Sequence, residues 1–256
     1  MNKNTFIERL SSEDVLAAAK LYDKVLLSEK TGKTIYSNEF YPPVIWGNLM
    51  KLNSYFNLTF STFGIFENAE RRVVGIGSGE ILDFPVNLVK IKAKGKFCSI
   101  SHSDFLGAIM SLGIKRDKFG DLIIEEDTCY AAVHEEISDY LICNLEKVKN
   151  SPCEVNIIDF HSSEVPKQKF EHVNMVSTSL RLDCIVSSIC NISRNNSDEL
   201  IRQGKVLVDY FPVTKRDFVL DVNSLIVIRG YGKFVFQEIK GSTGKGRLKV
   251  QFKKFI

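Results

Sequence analysis

Residues 179–209 read SLRLDCIVSSICNISRNNSDELIRQGKVLVD, and this stretch decides how the last third of the chain folds. Ser179-Leu180-Arg181-Leu182-Asp183 opens a helix in which Ile185, Val186 and Ile189 recur at helical spacing. Ser193-Arg194-Asn195-Asn196 opens a second helix through Glu199, Leu200 and Ile201, which Gly204 closes. Lys205-Val206-Leu207-Val208-Asp209 then reads as a strand, so Arg181, Arg194 and Lys205 share one small unit. Ser193 is placed to cap the second helix, whose N-terminal N–H groups favour a phosphate. An arginine beside them adds a planar fork that matches phosphate oxygens.

Charge points the same way. The chain has 256 residues and a net charge of +3. From Arg181 to Ile256 there are 14 Lys plus Arg against 7 Asp plus Glu, whereas the first 180 residues hold 20 against 24. A basic segment on a mildly acidic body is the footprint of a polyanion partner. A solvated lysine-rich face would look the same by charge alone. In the tail, Lys240, Lys245, Arg247, Lys249, Lys253 and Lys254 follow Glu238 with no acidic residue among them. Gly241, Gly244 and Gly246 are expected to leave Lys245 on a mobile turn, and Lys249 to Lys253 alternates as a strand with one buried face.

Upstream, the pattern is mixed. A helix starts at Ser11-Ser12-Glu13-Asp14 and ends at Thr31-Gly32-Lys33; another opens at Pro42-Pro43 and runs to about Phe56. Thr59 to Phe66 and Arg72 to Ile76 read as strands. Residues 96–160 then follow a strand, helix, strand, strand, helix, strand order. The strands are Lys96–Ser101, Asp121–Glu125, Cys129–Val133 and Glu154–Phe160. The helices are Ser103–Leu112, capped by Ser103 and closed by Gly113, and Glu135 to about Val148. That order is the split βαβ plan of ferredoxin-like and RNA-recognition folds. His161 to Lys169 reads as a linker, and a third module starts near Met175. The expected fold class is α+β in three modules, 1–85, 86–165 and 175–256.

Several function classes are not expected. No apolar run reaches the roughly 18 residues of a membrane span, and no signal-peptide core follows Met1, so the expected location is the cytoplasm without a membrane partner. Six scattered cysteines form no CxxC pair, and four histidines lie at no metal-ligand spacing, so neither zinc nor any other cofactor is expected.

The motif Arg181-Leu182-Asp183, Ser193-Arg194 with Ser197, then Ile201, Gly204, Val206 and Val208 resembles the alpha-L RNA-binding domain of the ribosomal small-subunit protein four type. Alanine is usual there at Ser197 and Asn-Gly at Asp209-Tyr210. Phe40-Tyr41-Pro42-Pro43, His102-Ser103-Asp104-Phe105-Leu106-Gly107-Ala108, Leu112-Gly113-Ile114-Lys115-Arg116, Gly120-Asp121 and the run from Val227 to Phe255 are similar to the bacterial YlmH family, where arginine is usual at Ser103. The resemblance implies a ribosome-associated RNA-binding protein. Its partners would be large-subunit ribosomal RNA and also tRNA, and its work the quality control of stalled nascent chains, with no small-molecule substrate. The expected RNA-binding residues are Arg181, Asp183, Ser193, Arg194, Asn195, Asn196, Glu199, Lys205, Asp209 and Tyr210. Lys245, Arg247 and Lys249 join them from the tail.

Two rival classes remain: an RNA-modifying enzyme using the first 170 residues, and a cell-division adaptor. The adaptor reading makes the basic module dispensable. The enzyme reading needs a positioned acid, base or cofactor loop. His102 with Asp104 reads as a helix cap rather than an acid–base pair. Arg181-Leu182-Asp183 echoes a pseudouridine synthase motif, but no domain of adequate size follows it. Alternating Lys90, Lys92, Lys94 and Lys96 could meet phosphate, but read better as gatekeepers on an edge strand. Gly75, Gly77 and Gly79 imitate a cofactor loop, yet Pro85 follows where such a loop would feed a helix. Calorimetry with S-adenosylmethionine should therefore show no heat of binding; micromolar affinity would put the enzyme reading first.

Overall fold

The computed structural model describes residues 1–10, 14–94, 100–162, 165–167 and 169–256. It divides into two compact units, Met1–Lys167 and Gln168–Ile256, each mixing helices with strands.

The first unit opens with α1 (Lys3–Leu10), α2 (Val15–Thr31), β1 (Ile35–Tyr41), α3 (Pro43–Met50), β2 (Thr59–Phe63) and β3 (Arg72–Gly77), with sheet order β1-β3-β2. Asp14 caps α2 by accepting from the Ala17 amide at 3.0 Å, and Gly32, at φ 66°, ends it. Ser11, Ser12 and Glu13 of the expected cap lie outside the described residues. Neither α1 nor β1 was expected from the sequence. Helix α3 stops at Met50, short of Phe56, and the Asn53 side chain instead accepts from the Phe60 amide. Gly75 and Gly77 lie in β3, and the next element is a strand, Val86–Ala93, rather than a helix. A Cβ on Gly75 would sit 2.5 Å from Ile81, and one on Gly77 2.7 Å from Thr34, so packing accounts for both.

The chain continues through β4 (Val86–Ala93), α4 (His102–Ser111), β5 (Phe119–Glu125), β6 (Thr128–His134), α5 (Glu135–Asn144), β7 (Lys147–Val148) and β8 (Ser151–Ile158). These strands form one antiparallel sheet of order β5-β6-β4-β8-β7. Apart from β7, the element order is that of a split βαβ plan. Its first strand is β4. Residues 95–99 of the expected Lys96–Ser101 strand, with Lys96 among them, lie outside the described residues. Lys90 and Lys92 therefore sit in a central strand, not at an edge. Val89, Ile91 and Ala93 alternate with them and join Phe105 and Ile109 of α4 and Leu141 of α5 in one core. The α4 cap is Ser101 rather than Ser103: Asp104 accepts from the Ser101 amide at 2.7 Å in a capping box. Helix α5 ends at Asn144, not Val148, because Lys147-Val148 turns to pair with Ser151-Pro152.

The second unit comprises β9 (Phe170–Ser177), α6 (Leu182–Cys190), α7 (Arg194–Arg202), β10 (Val206–Val208), β11 (Phe211–Pro212), β12 (Leu225–Ile228), β13 (Gly232–Ser242) and β14 (Leu248–Phe255). Its sheet order is β11-β10-β12-β13-β14-β9. It starts earlier than Met175, which lies inside β9 opposite Val250. Leu182, Ile185 and Val186 of α6 and Ile201 of α7 pack on Val206, Ile226, Phe236 and Phe252.

Within the first unit, Phe40, Phe66 and Val73 pack on Val86, Leu88, Tyr130 and Ala132, joining its two sheets. Gly120 makes that approach possible, since a Cβ there would lie 2.8 Å from the Phe40 ring. Gly120→Val should lower the unit's stability by about 1–3 kcal/mol through overpacking. Thermal melting followed in the near ultraviolet checks this; an unchanged midpoint would mean that the sheets are not held by this contact.

Candidate nucleic-acid interface

The second unit gathers its arginines through one carboxylate. Helix α6 begins at Leu182, with Arg181 as its N-cap, rather than at Ser179. Asp183 follows in the first turn, and its side chain is 5% exposed. Its Oδ1 accepts from Arg181 Nε at 3.1 Å and from the Cys184 amide at 2.9 Å; its Oδ2 accepts from a second Arg181 nitrogen at 3.1 Å and from Arg194 at 2.7 Å. Burial works against ionisation of Asp183, but hydrogen bonds from Arg194, Arg181 and Cys184 outweigh it and bring the carboxyl to about 2. Asp183 is therefore a clamp for the arginines and not a surface contact. The Arg181 and Arg194 side chains keep 38% and 56% exposure.

Ser193 caps α7 as expected, accepting from the Asn196 amide at 3.2 Å. The first turn of α7 carries no acidic residue, so the positive end of its dipole is not neutralised from within. Asn195 and Asn196 are exposed on that turn. Ser197 is fully buried where α6 meets α7, and its hydroxyl donates to the carbonyls of Asp183 and Arg194 at 2.9 and 2.8 Å. A small residue is thus required here, and serine satisfies its own polar atom. Glu199 is exposed and accepts from Gln203.

Sequence reasoning missed two arginines. The Asp183 amide donates to the Arg216 carbonyl at 3.0 Å, and the Leu182 amide to that of Phe218 at 2.7 Å, so the 215–220 loop lies along the start of α6. Asp198 takes Arg202 at 2.7 Å and Arg216 at 3.6 Å, both arginines staying mostly exposed. Only the Asp198/Arg202 spacing of four was visible in the sequence.

The remaining expected residues lie elsewhere in this unit. Lys205 is exposed just before β10. Asp209 and Tyr210, at φ 49° and 67°, form the two-residue turn between Val208 and Phe211. Asn-Gly suits such a turn best, which gives that pair a structural reason where it occurs. Asp209 Oδ1 accepts from the Leu225 amide at 2.9 Å, so it pins β12. Lys245, Arg247 and Lys249 are exposed on the β13–β14 hairpin. Its turn is not loose. The Thr243 amide donates to Arg247 O at 2.7 Å, Gly246 N to Thr243 O at 2.8 Å, and Arg247 N to Thr243 Oγ1 at 3.1 Å. Val250 and Phe252 bury the opposite face of β14.

In the first unit, Lys90 and Lys92 face away from the helices. The Lys90 ammonium lies 5.9 Å from the Tyr130 ring, and Lys94 pairs with Glu154 at 3.0 Å. Asp104 accepts from Ser101 and pairs with Lys149 at 2.8 Å, which gives it a capping role. Among the described residues, no group of three or more His, Cys, Asp or Glu could hold a metal, and no helix is long and apolar enough to cross a membrane.

Residues 80–162 match the family model described as "Putative RNA-binding domain in YlmH". The chain is 28% identical over 172 residues to ribosome-associated protein quality control protein P2 of Bacillus subtilis, covering 67% of each chain. Its fold resembles that of the cell division protein ylmH from Streptococcus pneumoniae, with a TM-score of 0.51 at 21% identity, over 59% of this chain and 93% of that one. The likeness to the YlmH family model is thus confined to residues 80–162, within the first unit.

Asp183 also makes a pH prediction. Its carboxyl is lowered from 3.8 to about 2, so it stabilises the fold above the unfolded value and loses that contribution as pH falls from 3.8 towards 2. The contribution is about 2 kcal/mol at neutral pH. Asp183→Asn should melt earlier than the parent at pH 7, with the gap closing near pH 2. A gap independent of pH would show that the ionised carboxylate is not what holds the arginines.

Proposed function

We propose that this protein is a cytoplasmic, non-catalytic RNA-binding protein of the ribosome. It holds ribosomal RNA of the large subunit, with tRNA as a second contact, during quality control of stalled nascent chains. The observation that carries the reading is the Asp183 clamp, which holds two partly exposed guanidiniums beside the N-terminus of α7, whose first turn carries no acidic residue. One buried carboxylate serving two arginines leaves a net positive, preorganised surface that suits phosphate oxygens. On this reading the chain holds a mixed part at 1–85, a ferredoxin-like part at 86–165 and an alpha-L domain, expected at 175–256, that takes in the whole second unit from β9 onward. The match over residues 80–162 and the ribosome-associated relative point to the same partner class.

Arg181→Ala and Arg194→Ala should each weaken binding to isolated large subunits by about 1–3 kcal/mol. Affinity at fixed salt reads this, with a thermal melt to confirm folding. Two folded variants of unchanged affinity would remove the clamp from the interface.

The β13–β14 hairpin supplies affinity rather than sequence choice, because phosphate contacts position a protein without reading bases. Neutralising Lys245, Arg247 and Lys249 together should flatten the slope of log affinity against log salt by up to about 0.7–0.9 per lost contact, and leave the preference for cognate over random RNA unchanged. An unaltered slope would leave the hairpin a purely structural role.

A further inference from the structure

The first unit contains a polar cavity that the clamp does not explain. It has a volume of about 150 Å3 and is lined by Asp14, Lys20, Glu39, Tyr41, Arg71 and Asp117. Four separate stretches of chain meet there: the start of α2, the end of β1, the start of β3 and the short turn before β5. One of them, Phe40-Tyr41-Pro42-Pro43, is a stretch that the sequence singled out, and Asp117 lies between two others, Leu112 to Arg116 and Gly120-Asp121.

One wall is fixed in place. Lys20 Nζ donates to Glu39 Oε1 at 2.6 Å, and the Tyr41 hydroxyl donates to Glu39 Oε2 at 2.9 Å. The Arg71 backbone is held too: its amide lies 3.4 Å from both Asp121 oxygens, and its guanidinium reaches the Phe40 carbonyl at 3.5 Å. Against this order stand two unused atoms. Arg71 Nε and Asp117 Oδ1 are buried and have no hydrogen-bond partner among the described residues. Buried polar atoms in folded proteins are nearly always paired, so an orphaned donor and an orphaned acceptor at one cavity ask for a ligand carrying both complements.

The cavity's size limits that ligand to a single ring: an apolar cavity of about 150 Å3 takes benzene. Three carboxylates against two cations line it, which disfavours a free phosphate. A nucleobase edge has the required pattern, an acceptor next to an N–H donor. Single-stranded RNA is commonly read by splaying out such a base and bonding its edge. Resting on the RNA-binding reading above, we infer that this cavity receives one unstacked pyrimidine base, with Arg71 Nε donating to the ring's acceptor and Asp117 Oδ1 accepting from its N–H. No bond is made or broken. The site gives the first unit base recognition, a kind of contact distinct from the phosphate contacts proposed for the second unit.

Two sources could present the ring, a free nucleoside or an RNA chain, and two measurements separate them. Saturation-transfer NMR of the full chain with cytidine and uridine, and with adenosine and guanosine as two-ring controls, reads the ring alone. The chain's one tryptophan reads the ring within RNA: Trp46 Nε1 donates to the Glu70 carbonyl at 2.8 Å, next to Arg71. Its emission is followed while a short single-stranded RNA of mixed sequence is added. Binding in either experiment should fall about tenfold in Asp117→Asn, as loss of a charged hydrogen-bond acceptor does. Arg71→Lys is the second variant should Asp117→Asn melt early. A response to nucleosides alone assigns the site to free nucleosides; a response to RNA that Asp117→Asn weakens assigns it to a chain. No response to any of these probes, or responses that neither variant alters, would reduce the cavity to a water site. Arg181→Ala/Arg194→Ala leaves the cavity intact and should keep the nucleoside signal, so failure of the cavity and failure of the clamp are read separately.

Discussion

A single buried carboxylate organises the second unit. Left alone, Asp183 would be a costly charge inside a small domain; left without it, Arg181 and Arg194 would repel across the start of two helices. Together they fix the crossing of α6 and α7, which the Ser197 hydroxyl then locks from beneath. The loop carrying Arg216 is laid down by the same turn of helix, through the Asp183 amide. Stability and the cationic surface are therefore one arrangement. A change that loosens the clamp weakens the fold and scatters the guanidiniums at the same time.

The helix pair was legible because its signals are local. Ser193 as cap, Gly204 at φ 65° and the spacing of Ile185, Val186 and Ile201 all act within a turn or two. The burial of Asp183 was not legible, since it arises when two helices and a distant loop close over it. Arg216 was missed for the same reason. Strand β1 escaped because Ser37, Asn38 and Glu39 interrupt its apolar alternation and a bulge falls between Tyr36 and Phe40. The lysines of β4 misled in the opposite sense. Alternating lysines suggest an edge strand, but here they mark the far face of a central strand whose Val89, Ile91 and Ala93 are buried under helices.

The first unit solves a different packing problem. It lays a three-stranded sheet against part of the five-stranded one, and the join is made by Phe40, Val73, Leu88 and Tyr130, with the Phe40 ring packed where Gly120 leaves no Cβ. Polar groups collect at the margin of that join. Lys24 donates to the Tyr36 carbonyl and to Asn38, and its ammonium is lowered by burial. Lys118 bonds Asn38 O and Glu136. Each of these bonds joins residues 12 or more positions apart, so neither the network nor the cavity beside it could be read from spacing.

The outer strand of the second unit carries a consequence for the order in which it folds. Strand β9 comes first in this unit and pairs along its whole length with β14, Phe170 opposite Phe255. The helix pair, by contrast, is tied by a bond between residues 14 apart, Asp183 and Ser197. Contacts of short separation form early, and those that close a long loop form late. The helix pair and the β13–β14 hairpin, whose turn sets Ser242 opposite Leu248, can thus both form while the sheet is still open. Closure of β9 onto β14 joins residues about 80 positions apart and comes last, so both cationic surfaces precede it.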